Sequence, residues 1–305
     1  MQKSNVSEPE QSSGHRLKAI GLVTLAVTMF GCLDATAKYL VSVSQLPAGE
    51  IVWMRFFGHA LFMVLALGLV SVPRLLRTRK FPQQIARSVL MMLSTLLNVL
   101  ALRHLRLDQT TTILFLAPLT VALLAGPMLG EWVGWRRLIA ILVGFTGVLI
   151  AIRPGYAAVH PAFLLSLGCM LSYAIFILLT RYLTAHDSSE VTLFYSTVVG
   201  TICLAPWAFS DWVWPTDGAT WFALVTLGFW GGAGHYVFIL AHRWAPASAL
   251  APFLYGQLVA VTVIGYLVFG DLPDVWTITG AGIVVASGIY LLHRERMTRR
   301  EVASS

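Results

Sequence analysis

Gly31-Cys32-Leu33-Asp34-Ala35-Thr36-Ala37-Lys38 lies inside an apolar run that extends from about Leu17 to Val43. Asp34 and Lys38 are ionisable groups where hydrocarbon is the expected solvent. A charge at the bilayer centre costs about 2.5–3.5 kcal/mol on insertion scales, so such residues face a bundle interior or a water-filled path. Four positions apart, the two share one helical face and are spaced to pair. The rest of the chain reads as a scaffold around that path.

The composition agrees. The 305 residues are 57% apolar and 11% charged, with a mean hydropathy of +0.75, against about 25% charged in an ordinary soluble domain. The apolar residues fall in blocks of about twenty, the length of a helix that crosses about 30 Å of hydrocarbon. These blocks lack the polar faces that a soluble fold would need. The fold class read from the sequence is therefore an all-α polytopic membrane protein. The three cysteines, Cys32, Cys169 and Cys203, all fall in predicted spans without CxxC or Cys/His spacing, so neither structural disulfides nor a metal site are expected.

Ten spans are predicted, at about 17–41, 50–70, 85–102, 109–129, 136–152, 161–180, 190–209, 219–240, 247–269 and 274–292. Residues 1–16 read as a polar, disordered tail and 293–305 as a basic tail. Lys and Arg are distributed unevenly about this frame. Sixteen lie in the tails and the loops after even-numbered spans; the other side has Arg103, Arg106 and Arg153. The positive-inside rule then places both termini in the cytosol. The net charge of +7 reports this topology. No basic module with interleaved aromatics is present, and no nucleic-acid partner is expected. Trp212, Trp214 and Trp221 form the expected interfacial belt on the opposite side.

The two halves resemble each other. At a shift of 140 positions, Ala101, Arg103, Gly130 and Glu131 fall on Ala241, Arg243, Gly270 and Asp271, and at 143, Lys38-Tyr39-Leu40 falls on Arg181-Tyr182-Leu183. Five spans per half is an odd number, so a second copy sits upside down. The prediction is a 5+5 inverted repeat, residues 17–152 and 161–292, an architecture used for alternating access around a midplane site.

Several stretches carry a family resemblance. Phe30-Gly31 with Lys38, Trp53-Met54-Arg55-Phe56, Leu107 to Leu119 ending in Phe-Leu-Ala-Pro-Leu, Gly130 to Arg137, and Gly144 to Gly155 ending in Arg153-Pro154-Gly155 resemble the patterns of EamA-type members of the drug/metabolite transporter superfamily. Asp34-Ala35 followed by Lys38 is most similar to its S-adenosylmethionine-uptake-like subgroup. Gly270-Asp271-Leu272 departs from the usual Gly-Glu. The resemblance implies a ten-helix carrier for small metabolites, with a central cavity lined by both halves; the short loops and cytosolic termini fit a bacterial inner membrane. The resemblance implies no cofactor.

Helix direction places Asp34, Arg55, His59 and Asn98 near one level. One reading of Asp34, Arg55 and His59 is a gate or coupling group; another is a polar knot that satisfies its own charges. Asp34 departs from the broad family pattern. It is a candidate counter-ion for a cationic substrate group, or a carrier of the coupling proton. The candidate substrate-binding residues are Asp34, Lys38, Asn98, Phe115, Tyr173, Trp230, Tyr236, Tyr255 and Gln257. Aromatic faces hold cations, and apolar cavities with a few polar handles hold small molecules. Each aromatic is equally readable as packing. Pro118 and Pro252 are positioned to open backbone hydrogen bonds beside such a cavity.

No Walker motif, HExxH, GxSG-like serine or paired carboxylates occur within the spans, so a secondary transporter rather than an enzyme or an ATP-driven pump is expected. The expected partners are a small-molecule substrate, the lipid bilayer, and either protons or a counter-substrate. Import of an amphipathic metabolite such as S-adenosylmethionine is the first reading; export of amino acids or drug-like cations is the second. A monomer or a homodimer serves either.

Overall fold

The computed structural model describes residues 13–68, 72–129, 134–153, 160–183, 186–242, 244, 250 and 253–304. Among these, every regular element is helical. In chain order they are α1 (Ser13–Lys38), running into a π-helical turn over Tyr39–Val43, α2 (Ala48–Leu67), a single turn Val72–Leu75, α3 (Phe81–Leu102), α4 (Leu107–Leu114), α5 (Ala117–Leu129), α6 (Trp135–Ile152), α7 (Ala162–Leu183), α8 (Ser189–Ser210), α9 (Gly218–His242), α10 (Gly256–Phe269) and α11 (Val275–Ser304). The motif residues 130–133, 154 and 155, together with Arg243 and Pro252, lie outside the described residues.

Among the described residues, seven stretches are long and apolar enough to cross a membrane: Leu17–Val43, Ala48–Ala66, Phe81–Leu102, Leu107–Ala125, Ala162–Leu183, Glu190–Ser210 and Gly218–Ala241. Three shorter apolar helices, Leu138–Ile152, Gly256–Phe269 and Val275–Leu291, accompany them. Leu65, Phe222 and Leu267 are over 70% exposed on the outer surface. A soluble monomer rarely presents such continuous apolar surface, whereas a bilayer covers it. This is a multi-pass membrane protein.

Helix ends differ from expectation in three places. α1 begins at Ser13, inside the expected tail, and α11 runs to Ser304, through the expected polar terminus. The expected span 109–129 is two helices. α4 stops at Phe115, where Leu116 N–H turns back to Ile113 O at 3.0 Å, and α5 starts at Ala117. Pro118 supplies no N–H, so the helical ladder breaks just before it.

Helix contacts come in pairs that interchange when the halves of the chain are exchanged. α1 packs on α9 as α7 packs on α3, and α2 packs on α9 as α8 packs on α3. α1 on α10 matches α7 on α4 and α5; α2 meets α8, α4 meets α10 and α6 meets α11. One buried cluster joins Leu33, Ile51, Phe56 and Val99 to Leu204, Leu224 and Val261 across the halves. A second joins Ile113, Leu119 and Ile141 to Met170 and Val284.

Two crossings bring backbone against backbone. A Cβ on Gly228 would land closer than 3.0 Å to Gly58 of α2, and one on Gly280 equally close to Gly147 of α6. Only glycine permits these approaches, as at small-residue contacts between membrane helices.

Candidate functional site

Between the halves lies a cavity of about 110 Å³. Its polar lining comprises Asp34, Arg55, Ser94, Thr95, Asn98, Cys169, Tyr173, His235 and Gln257, and its apolar lining Phe30, Leu33, Met91 and Leu114. Helical spacing explains these groups. Phe30 with Asp34, Met91 with Ser94, Thr95 and Asn98, and Cys169 with Tyr173 each stand three or four positions apart on one face.

Asp34 is held by two amides from opposite halves. Asn98 Nδ2 donates to Oδ1 at 3.2 Å and Gln257 Nε2 to Oδ2 at 3.4 Å. Both bonds are long for N–H···O. Arg55 faces the same cavity, with no carboxylate within 4.0 Å of its guanidinium among the described residues. His59 is buried behind the lining, its ring stacked on His235 with centroids 5.4 Å apart.

Both ends of the cavity are bridged by polar contacts between the halves. At one end, Lys38 Nζ pairs with Asp271 Oδ2 at 2.5 Å and lies 4.6 Å from the Phe269 ring. Gly270, left-handed at φ 70, caps α10 and turns Asp271 toward Lys38. Ser44 meets Thr220 at 2.9 Å, Val213 N–H donates to Glu50 at 3.1 Å, and Arg153 pairs with Asp274. At the other end, Asp187 accepts from Thr78, from Gln84 Nε2 at 2.9 Å and from Arg79 N–H at 3.1 Å. Burial alone would raise the Asp187 carboxyl, but these donors and the neighbouring His186 hold it below the usual carboxylate range. Arg87 donates to Thr180 at 2.7 Å, Thr192 O at 2.9 Å and Ser196 at 2.5 Å, and covers the Phe176 ring at 4.3 Å.

The sequence profile of the EamA-like transporter family matches residues 17–153 and 160–293, both halves of the chain. The chain belongs to the EamA-like transporter family. Among its EamA relatives is an S-adenosylmethionine uptake transporter of Rickettsia bellii, 26% identical over 280 residues, covering 91% of this chain and 94% of that protein. A riboflavin transporter of Vibrio cholerae is 26% identical and covers 94% and 97%. A pseudopaline exporter of Pseudomonas aeruginosa is 26% identical and covers 88% and 94%. A crystal structure of a protein 17% identical aligns over 91% of this chain and 97% of its own, with a TM-score of 0.62, and so shares the fold.

Set on this EamA fold, the sequence candidates divide. Asp34, Arg55, Asn98, Tyr173 and Gln257 line the cavity. Phe115 and Tyr255 do not; they meet edge to face at 5.0 Å beside it, at the helix interruptions of the two halves. Trp230 packs against the core cluster, and Tyr236 is 58% exposed on the outer face. One residue is about 100° of helix, so with His235 on the cavity Tyr236 points away. Lys38 does not meet Asp34, because its ammonium is engaged by Asp271. Ser94, Thr95 and Cys169 were not singled out as site residues by sequence, whereas His235, a polar group within a span, is expected to face inward and does. The polar stripe Ser94-Thr95-Asn98 on one face of α3 is the signal that marks three of the lining residues.

Proposed function

We propose that the protein is a secondary active transporter of ten transmembrane helices in a 5+5 inverted repeat, moving a small amphipathic metabolite by alternating access. The observation that carries this is the cavity holding Asp34 and Arg55 between the halves, bridged at each end by contacts from one half to the other. The interchangeable helix contacts support the repeat. Counting the broken pair α4 and α5 as one span, the described helices α1 to α11 number ten, in keeping with this reading. The Lys/Arg distribution supports cytosolic termini in a bacterial inner membrane, which puts Lys38 and Asp271 at the periplasmic end and Asp187 at the cytosolic end.

The substrate proposed is S-adenosylmethionine or a related amino-acid-like or cationic compound, in keeping with the Rickettsia relative and with an anionic group in an aromatic-edged cavity. Pockets for drug-sized ligands run about 300–1,000 Å³, so such a molecule enters only when the helices around the present 110 Å³ separate. A second reading, export of amino acids or drug-like cations, is favoured by the equal identity to the pseudopaline exporter.

Counterflow in proteoliposomes tests both. Vesicles are loaded with unlabelled metabolites and labelled S-adenosylmethionine is added outside. Trans-stimulated uptake by one loaded compound is expected. Label that equilibrates without saturation or trans-stimulation would replace the carrier with a channel.

A further inference from the structure

The cavity is lined by two opposite charges that make no direct contact with each other. A carboxylate has roughly four acceptor sites; Asp34 uses two, on long bonds to neutral amides. Arg55 has five N–H donors in a fixed fork and, among the described residues, no carboxylate within 4.0 Å. Three ion pairs elsewhere in the described residues are closed by direct contact, Lys38 with Asp271, Arg106 with Asp108 and Arg153 with Asp274. Asp34 and Arg55 line one cavity and are in none of these pairs. His235 and Gln257 offer neutral polar contacts, and Phe30 and Tyr173 aromatic surface.

A ligand with only a cation would satisfy Asp34 and leave Arg55 in a shrinking, increasingly dry space. A ligand with only an anion would leave Asp34 there. One bearing both charges on adjacent atoms completes the site without importing net charge. We infer that the cavity binds the zwitterionic head of an α-amino acid, its ammonium on Asp34 and its carboxylate forked on the Arg55 guanidinium. The side chain of the ligand extends toward Phe30 and Tyr173. Arg is suited to this role because its planar fork matches a carboxylate in two parallel bonds. This inference rests on the transport reading for its substrate path, and narrows it from amino-acid-like or cationic compounds to those with an intact amino-acid head.

The test is ligand binding to the purified full-length protein in nanodiscs, followed by tryptophan fluorescence and thermal stabilisation. Three scaffolds are used, S-adenosylmethionine, norleucine and phenylalanine, each as the zwitterion, the decarboxylated amine and the deaminated acid. At least one zwitterion is expected to bind, and losing either charged group weakens it at least about tenfold, because a desolvated charge is left unpaired. In Arg55→Gln the zwitterion and its amine should bind within about twofold of each other, and in Asp34→Asn the zwitterion and its acid likewise, since the group that told them apart is gone. The analogue series on the wild-type protein decides the matter even if a variant does not fold. Equal binding of the amine or the acid to wild type, discrimination that survives in both variants, or no binding by any of the three zwitterions overturns the inference. Binding of a zwitterion without counterflow would sink the carrier and leave this site standing. Counterflow of a compound whose binding ignores both charges would do the reverse.

Discussion

Lys38 Nζ and Asp271 Oδ2 stand 2.5 Å apart, a contact between positions 233 residues distant that ties the end of α1 to the cap of α10. The side chains are 10% and 27% exposed, between the surface pairs that contribute little and the buried pairs whose disruption is costly. Removing one partner should cost about 1–3 kcal/mol and loosen this end of the cavity. Cys169, which lines the cavity, is the reporter. With Cys32 and Cys203 replaced by alanine, a membrane-impermeant maleimide added on the side of Lys38, the proposed periplasmic side, should modify Cys169 several-fold faster in Lys38→Ala. An unchanged rate would remove the pair from control of access.

Asp187 gives the opposite end a pH signature. Its carboxyl is held below the ordinary value by Thr78, Gln84 and Arg79 N–H. A depressed carboxylate contributes stability above its unfolded pKa, about 3.9, and loses it as pH falls through the folded value. Wild type should therefore melt higher than Asp187→Asn at pH 7, and the gap should close on acidification below about pH 4. A gap that is constant from pH 7 to pH 3 would mean that the carboxylate charge contributes nothing.

The glycine crossings predict a contrast within one helix. Gly280→Ala forces a methyl against the Gly147 carbonyl and Ala151, whereas Gly282→Ala meets nothing within 4 Å. The first should destabilise by about 1–3 kcal/mol, the usual range for overpacking; the second should be neutral or gain up to about 1 kcal/mol of helix propensity. Denaturant unfolding in detergent distinguishes them. Equal effects would mean that the α6–α11 crossing relaxes freely.

Asp34→Asn keeps the shape of the cavity and removes the only carboxylate among its described lining residues. Counterflow should fall at least about tenfold, equivalent to about 1.4 kcal/mol, with an unaltered gel-filtration profile. Asn98→Leu, which removes one donor to Asp34, should fall less. Wild-type counterflow with unchanged pH dependence in Asp34→Asn would take the residue out of the mechanism.

The spans were legible because blocks of twenty apolar residues have few other uses. What those blocks conceal is rotation. In α9 the imidazole of His235, a polar group in hydrocarbon, marks the inward face, but nothing in residues 218–242 says that Tyr236 faces outward. Asp34, Asn98 and Gln257 were readable as inward because a polar group in hydrocarbon needs a partner. Lys38 obeyed the same rule with a partner that the sequence places in a loop. Arg87 read as a loop cation, yet it is 5% exposed inside the α3–α7–α8 junction. The interruption at Phe115 follows from Pro118, whereas the edge-to-face contact with Tyr255 depends on how the two halves dock.

The backbone contact of Gly58 with Gly228 has a kinematic consequence. α2 comes from the first half of the chain and α9 from the second, and at this crossing no side chains lie between them to act as bearings. Sliding one past the other would drive a neighbouring side chain into bare backbone. The Gly147–Gly280 contact locks α6 to α11 in the same way. Each locked pair takes one member from either side of the duplication. Under the proposed alternating access, the moving parts are thus not the two halves that the family profile matches, and the stroke must cut the molecule along a different line from the one between residues 153 and 160.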